Sequence, residues 1–249
     1  VIEDSADTLG AKFNSKSTGF YSDISITSFY GSHIINCAGN GGMLCTSNNK
    51  WSDDAKVLRS WGRSSSLLND SENIEKRLNY SLDNIDYDAK FIFKEIGYNL
   101  EPSEIGSAFG LVQLKKLKSI LKKRKELCKK QYNFFKQYEN WIDMPLLNQD
   151  CDTVWFAFPI IVKKNAPFSR KDLQIFFEKR NIQTRVIFTG NVLRQPAFRN
   201  IKKRVSKKGY KNSDYIMKNG MLIACHHGMN KEMVLHIHNT FTLFASRYK

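Results

Sequence analysis

What this sequence lacks narrows its class before any motif is read. Its five cysteines, at 37, 45, 128, 151 and 225, are scattered, odd in number and without a CxxC pair. That argues against a disulfide framework and against a zinc knuckle, and no metal ligands are assigned. Free thiols suit a reducing compartment, so a cytoplasmic location is expected. No apolar run approaches the roughly 18 residues that cross a bilayer, and no membrane partner is expected. The first residues carry neither the basic start nor the apolar stretch of a signal peptide. No internal repeat is present. Acidic residues are scarce: 24 Asp and Glu stand against 39 Lys and Arg, leaving +15 over 249 residues. Such an excess favours anionic partners, whether nucleic acid, phosphates, nucleotide sugars or a membrane surface, without choosing among them. Hydrophobic residues at 41% and charged residues at 25% describe a core-forming chain.

Periodicity then divides the chain. Val1-Ile2-Glu3-Asp4 reads as the end of a buried strand with acids at its carboxyl edge, so the chain is expected to be the later part of a longer protein. Alternation over Ile24 to Phe29 predicts a strand, Gly39, Gly41 and Gly42 a turn, and Met43 to Cys45 a second extended run. A helix is expected around Asp53 to Trp61 and a polar excursion loop over residues 64 to 90. Pro102 and Ser103 open a long helix with apolar residues at three- and four-residue spacing. From Lys115 to Lys136 it carries ten Lys or Arg and one acid, Glu126, which reads as a solvated helix face. Beyond Pro145 strands are expected at Val154–Val162, Gln183–Phe188 and Met221–Cys225. Helices are expected from Ser169 to Arg180, over residues 213 to 220, and from Asn230 towards Arg247, with a basic loop over Lys202 to Lys211. This order predicts a large α/β domain ending near residue 145, with the long helix as its link, and a small α/β domain from 146 to 249.

The stretch Glu3-Asp4-Ser5-Ala6-Asp7-Thr8-Leu9-Gly10-Ala11 carries the first chemical signal. A carboxylate at the end of a buried strand is costly unless a cation lies beside it. The protonated ring nitrogen of pyridoxal phosphate is one such cation; helix caps and metals are others. About twenty residues on stand Ser28-Phe29-Tyr30-Gly31-Ser32-His33 and then Gly39-Asn40-Gly41-Gly42. With these motifs in order, the sequence resembles the DegT/DnrJ/EryC1/StrS family of pyridoxal-phosphate sugar enzymes. That family has an EDxAxxxGA stretch, SFxxxK and a GEGG turn. Trp61-Gly62-Arg63, Gly97-Tyr98-Asn99-Leu100, Trp155 to Pro159 and Gly190 to Pro196 are similar to one branch, the NDP-4-keto-6-deoxyhexose 3-dehydratases.

The resemblance covers nearly the whole chain. It implies an α/β, fold-type I, aspartate-aminotransferase-like protein, with a partial large domain and a small carboxyl-terminal domain. Where the family's aminotransferases hold the cofactor on a Schiff-base lysine, this chain has His33. Imidazole cannot form that bond, but it titrates near neutrality and can move a proton. His33 is therefore implied to abstract a proton and drive loss of the sugar's C3 hydroxyl. The same resemblance assigns Asp4 to the pyridine nitrogen, Asp7 to the neighbourhood of the phenolic oxygen, and Ser28 to the cofactor phosphate. Asn99 is assigned to the phosphate of a neighbouring subunit in a homodimer. Arg185 and Arg194 suit substrate phosphates, because guanidinium groups bind them bidentately.

Three departures qualify the picture. The glycine turn has Asn40 where the family has Glu, with one extra residue after His33. Ser64, Ser65 and Ser66 stand where iron-sulfur members of the branch have cysteines, so no such cluster is expected. The family's amino-terminal section, with its phosphate-cradling turn, is expected to be missing. Loss of the cysteines favours completion of the reaction with a glutamate-derived amino group, the cofactor entering as pyridoxamine phosphate. The overall likeness is closer to the members that use a partner reductase, and both routes stand open. The rival readings are a nucleotide-sugar aminotransferase homologue, an inactive relative, and a basic nucleic-acid-binding module; no nucleic-acid partner is expected.

Overall fold

The computed structural model describes residues 1–146 and 148–248. The chain forms two compact units, one from residues 1–9 and 16–117, the other from residues 10–15 and 118 onward. The expected boundary near 145 therefore falls earlier, inside the long helix.

In the first unit β1 (Ile2–Asp4), β2 (Ile24–Ser28) and β3 (Gly42–Thr46) form a sheet in the order β1-β2-β3. β1 and β2 are parallel with Asp4 opposite Ile26, and β2 and β3 antiparallel with Ser28 opposite Gly42. The alternation read over residues 24 to 29 is thus a true strand. The reading of residues 1 to 4 as a buried strand needs correction: Ile2 is 72% exposed, and Ile26 and Leu44 on the same face are also open. No described layer covers that face.

α1 (Asn49–Arg59) starts four residues before the expected point because the Asn48 side chain caps it, accepting from the Trp51 N–H at 3.1 Å. The expected loop over 64 to 90 holds more order than its polarity suggests. It contains α2 (Ile74–Leu78) and a hairpin of β4 (Tyr80–Leu82) and β5 (Ile85–Tyr87). Asp83 and Asn84 close that hairpin with φ of 51° and 67°, the left-handed pair that a two-residue turn demands and that Asp and Asn tolerate.

α3 (Glu104–Phe135) runs 32 residues. Its charged run is a solvated face with one exception, Arg124. Leu127, Cys128 and Phe135 join the core of the second unit, which is why the division falls within the helix. That unit has an antiparallel sheet of β6 (Ile142–Asp143), β7 (Phe158–Val162), β8 (Arg185–Val186) and β9 (Gly220–Ile223), in the order β8-β9-β7-β6. The strands are shorter than their apolar runs. α4 (Arg170–Glu178) begins in a capping box between Ser169 and Asp172. α5 (Lys211–Asn219) precedes β9, and α6 (Lys231–Ala245) follows the Asn230 cap, which accepts from the Met233 N–H at 2.8 Å. Phe135, Phe158, Phe177 and Phe241, all fully buried, form the centre of the core.

Candidate active site

Asp4 ends β1, and Ser28 ends the parallel strand beside it. Paired residues share a face, and so do residues two apart on one strand. Asp4 opposite Ile26 and Ser28 two residues further on therefore lie on one face at the carboxyl ends of the strands, the edge where open α/β sheets bind ligands. Asp4 Oδ1 accepts from the Ala6 N–H at 3.1 Å, which leaves the carboxylate further acceptor capacity. Ser28 Oγ accepts from the Tyr30 N–H at 3.2 Å, and its hydroxyl proton is left to donate.

His33 sits on the excursion between β2 and β3. The excursion closes on itself: Phe29 N–H donates to Gly41 O and Gly31 N–H to Gly39 O, both at 2.8 Å, and His33 N–H to Tyr30 O at 3.0 Å. Ile34 and Ile35, immediately after His33, are buried and anchor it. α3 packs on the same excursion through glycine: a Cβ on Gly110 would lie 2.5 Å from Cys37 Sγ. The extra residue and Asn40 are thus absorbed in a hydrogen-bonded loop. His33 Nδ1 lies 2.8 Å from Asp7 Oδ1, with the two side chains 15% and 27% exposed. A carboxylate at that distance faces Nδ1 of the ring and leaves Nε2 as the nitrogen turned away from it. This pairing was not legible in the sequence, where Asp7 is read only against the cofactor.

Asn99 bridges Ser60 in an antiparallel contact, flanked by Trp61 N–H donating to Tyr98 O at 2.8 Å. The two motifs Trp61-Gly62-Arg63 and Gly97-Tyr98-Asn99 are therefore one structural feature. Gly62, at φ +85°, is required there, since a Cβ would lie 1.8 Å from Glu95 O. In the second unit Arg185 is exposed on β8 without an ion-pair partner among the described residues. Arg194 is engaged: its guanidinium grips both oxygens of Asp214, the Nη2 contact at 2.6 Å, and Asn191 Nδ2 donates to the same carboxylate at 2.7 Å. These two partners pull Asp214 down to about 2.

A strand-edge acid, a strand-edge hydroxyl and a half-buried carboxylate–imidazole pair now stand in one unit. The sequence profile of the DegT/DnrJ/EryC1/StrS aminotransferase family matches residues 1–242. The chain belongs to this family. It is 30% identical over 251 residues to the lipopolysaccharide biosynthesis protein RfbH of Salmonella typhimurium, covering 98% of this chain and 56% of that protein. To the dTDP-4-dehydro-2,6-dideoxy-D-glucose 3-dehydratase of Saccharopolyspora spinosa it is 28% identical, covering 99% and 54%. Among solved structures, the E. coli GDP-4-keto-6-deoxy-D-mannose-3-dehydratase with bound hydrated PLP superposes with a TM-score of 0.80 at 25% identity, covering 96% of this chain and 59% of that one. The chain thus spans little more than half the length of the relatives it matches.

The family is pyridoxal-phosphate-dependent, and its fold is the aminotransferase-like α/β fold. The donor set fits that cofactor: a carboxylate with spare acceptor capacity for a pyridinium, a hydroxyl with a proton to give for a phosphate, and an imidazole in place of an amine.

Proposed function

We propose that the protein containing this chain removes the C3 hydroxyl of an NDP-4-keto-6-deoxyhexose, in lipopolysaccharide, O-antigen or related deoxysugar synthesis. The observation that carries this reading is the His33–Asp7 pair at 2.8 Å, at the position where transaminating relatives need a lysine. Pyridoxal or pyridoxamine phosphate, when bound, supplies the electron sink for cleavage next to the sugar carbonyl. Asp4 would hold its pyridine nitrogen and Ser28 its phosphate. Asp7 holds the imidazole in one tautomer, and Nε2 of His33 takes and returns the proton. Asn99 would reach across a homodimer, and Arg185 would bind substrate phosphate. Arg194 would do so only by sharing or leaving Asp214. The serines at 64 to 66 offer no thiolate for an iron-sulfur cluster, which favours the glutamate-dependent completion over a partner reductase.

The full protein, given pyridoxamine phosphate and a CDP- or GDP-4-keto-6-deoxyhexose, is expected to release a 3-deoxy product detectable by mass spectrometry. His33→Asn is expected to lower turnover by about 10²–10⁴-fold, the usual contribution of a positioned base. Undiminished turnover in that variant removes His33 from the mechanism. An amino-sugar product from the wild type would favour the transaminase reading instead.

A further inference from the structure

The second unit has a built groove outside the chemistry described above. β8 is the last strand of its sheet and pairs with β9 on one side only among the described residues. Between its free edge and α4 lies an open groove of about 490 Å³, bordered by Lys171, Ile175, Lys179, Thr184 and Val186. Two of these are apolar yet exposed, Ile175 at 44% and Val186 at 47%. The bordering acid, Glu178, is spent internally: Oε1 accepts from Thr184 Oγ1 at 2.8 Å and from the Thr184 N–H. Gln174 Nε2 also donates to Thr184 Oγ1, at 3.1 Å. Lys171 and Lys179 have no ion-pair partner among the described residues, so the rim is cationic.

The spacing on α4 selects an occupant. Lys171 and Ile175 on α4 and Lys179, which caps its end, succeed one another at four residues, about 6 Å of helix rise each. Same-face residues of an extended chain recur at about 6.6–6.8 Å. An extended segment beside β8 therefore presents alternate side chains in step with lysine, isoleucine and lysine. A free strand edge supplies main-chain hydrogen bonds to such a segment. We propose that this groove takes an extended segment of a partner protein with the pattern acid-x-aliphatic-x-acid, added to β8 as a further strand. By the alternation of a strand, Thr184 and Val186 share the α4 face and Arg185 belongs to the other. The groove is thus separable from the phosphate role proposed for Arg185, although Arg185 borders its edge.

The test uses the full chain and a fluorescein-labelled peptide, Thr-Thr-Glu-Thr-Val-Thr-Glu-Thr-Thr, followed by anisotropy. The expected result is binding at least tenfold tighter than that of the same peptide with both Glu replaced by Lys. Lys171→Glu with Lys179→Glu should invert that preference. N-methylation of alternate peptide amides should weaken binding tenfold or more. Ile175→Asp, a change at an exposed position, should weaken it without altering the circular dichroism. The proposal is overturned by no binding, by equal binding of the charge-swapped peptide, or by a preference that survives the double variant. Unimpaired binding of the N-methylated peptide overturns strand addition, and displacement by equimolar inorganic pyrophosphate marks a simple anion site instead.

Discussion

His33 and Asp7 are 26 residues apart in the chain and 2.8 Å apart in space. In the proposed reaction the carboxylate would do for the imidazole what no local sequence feature could, holding it in one tautomer. Asp7→Asn, nearly the same in shape, is expected to lower kcat by about a hundredfold, part of the contribution of a positioned base, with KM changed only a few-fold. ¹⁵N shifts of the His33 ring should show loss of the single tautomer, a change that a merely structural role would not produce. Arg124 is the opposite case, a charged side chain with no ion-pair partner among the described residues. It is 2% exposed and donates through Nη1 to the carbonyls of Trp155, Phe156 and Cys225 at 3.0–3.3 Å. Burial pushes its guanidinium below the ordinary value, so the three carbonyls hold it at a cost. Arg124→Ala strips a donor from buried carbonyls and is expected to destabilise the second unit by about 3 kcal/mol in chemical denaturation.

Capping decides where the helices of the second unit start. Ser169 and Asp172 cap α4 reciprocally, and Ser169→Ala is expected to cost about 1 kcal/mol, seen as a small drop in thermal midpoint. α6 is coupled to α3 through His238, which stacks on Phe134 at 3.9 Å between centroids and meets Gln131 Oε1 at 2.9 Å. Burial lowers this imidazole from 6.5 to about 4. Between those values the unfolded chain binds a proton that the folded chain refuses. Stability therefore falls as pH drops from about 6.5 to 4, and is unaffected by this group above that window. His226 and His227, also shifted down by burial, act in the same direction. His238→Phe should flatten part of this dependence in denaturation curves measured from pH 7 to 4.

Across the molecule, the two units differ in what they bury. The second closes a core of interlocked aromatic rings, whereas the first leaves the Ile2, Ile26 and Leu44 face of its sheet open. Exposed surface substitutions seldom move stability by more than about 0.5 kcal/mol. Ile2→Thr with Leu44→Thr is therefore expected to leave the unfolding midpoint of this chain nearly unchanged while lowering its binding of an apolar dye. A loss of several kcal/mol would mean that the face is packed after all.

Periodicity and punctuation were enough to find β2, β3, α3, α4 and α6, because alternation, three- to four-residue spacing and capping side chains are local effects. The family was legible too, through ordered short motifs. The hairpin at 80–87 was not legible: three-residue strands are too short for a period, and Asp83-Asn84 lacks the glycine that usually marks such a turn. Nor was the unit boundary, which depends on which core Leu127, Cys128 and Phe135 enter. What the amino-acid order determined by itself was the family, and that His33, unlike a lysine, cannot form a Schiff base. Only the tertiary structure decided that Asp7 lies beside that imidazole, that Arg194 is held by Asp214, and that Arg124 is buried. Each depends on groups brought together by packing across long stretches of chain, where sequence spacing carries no distance information.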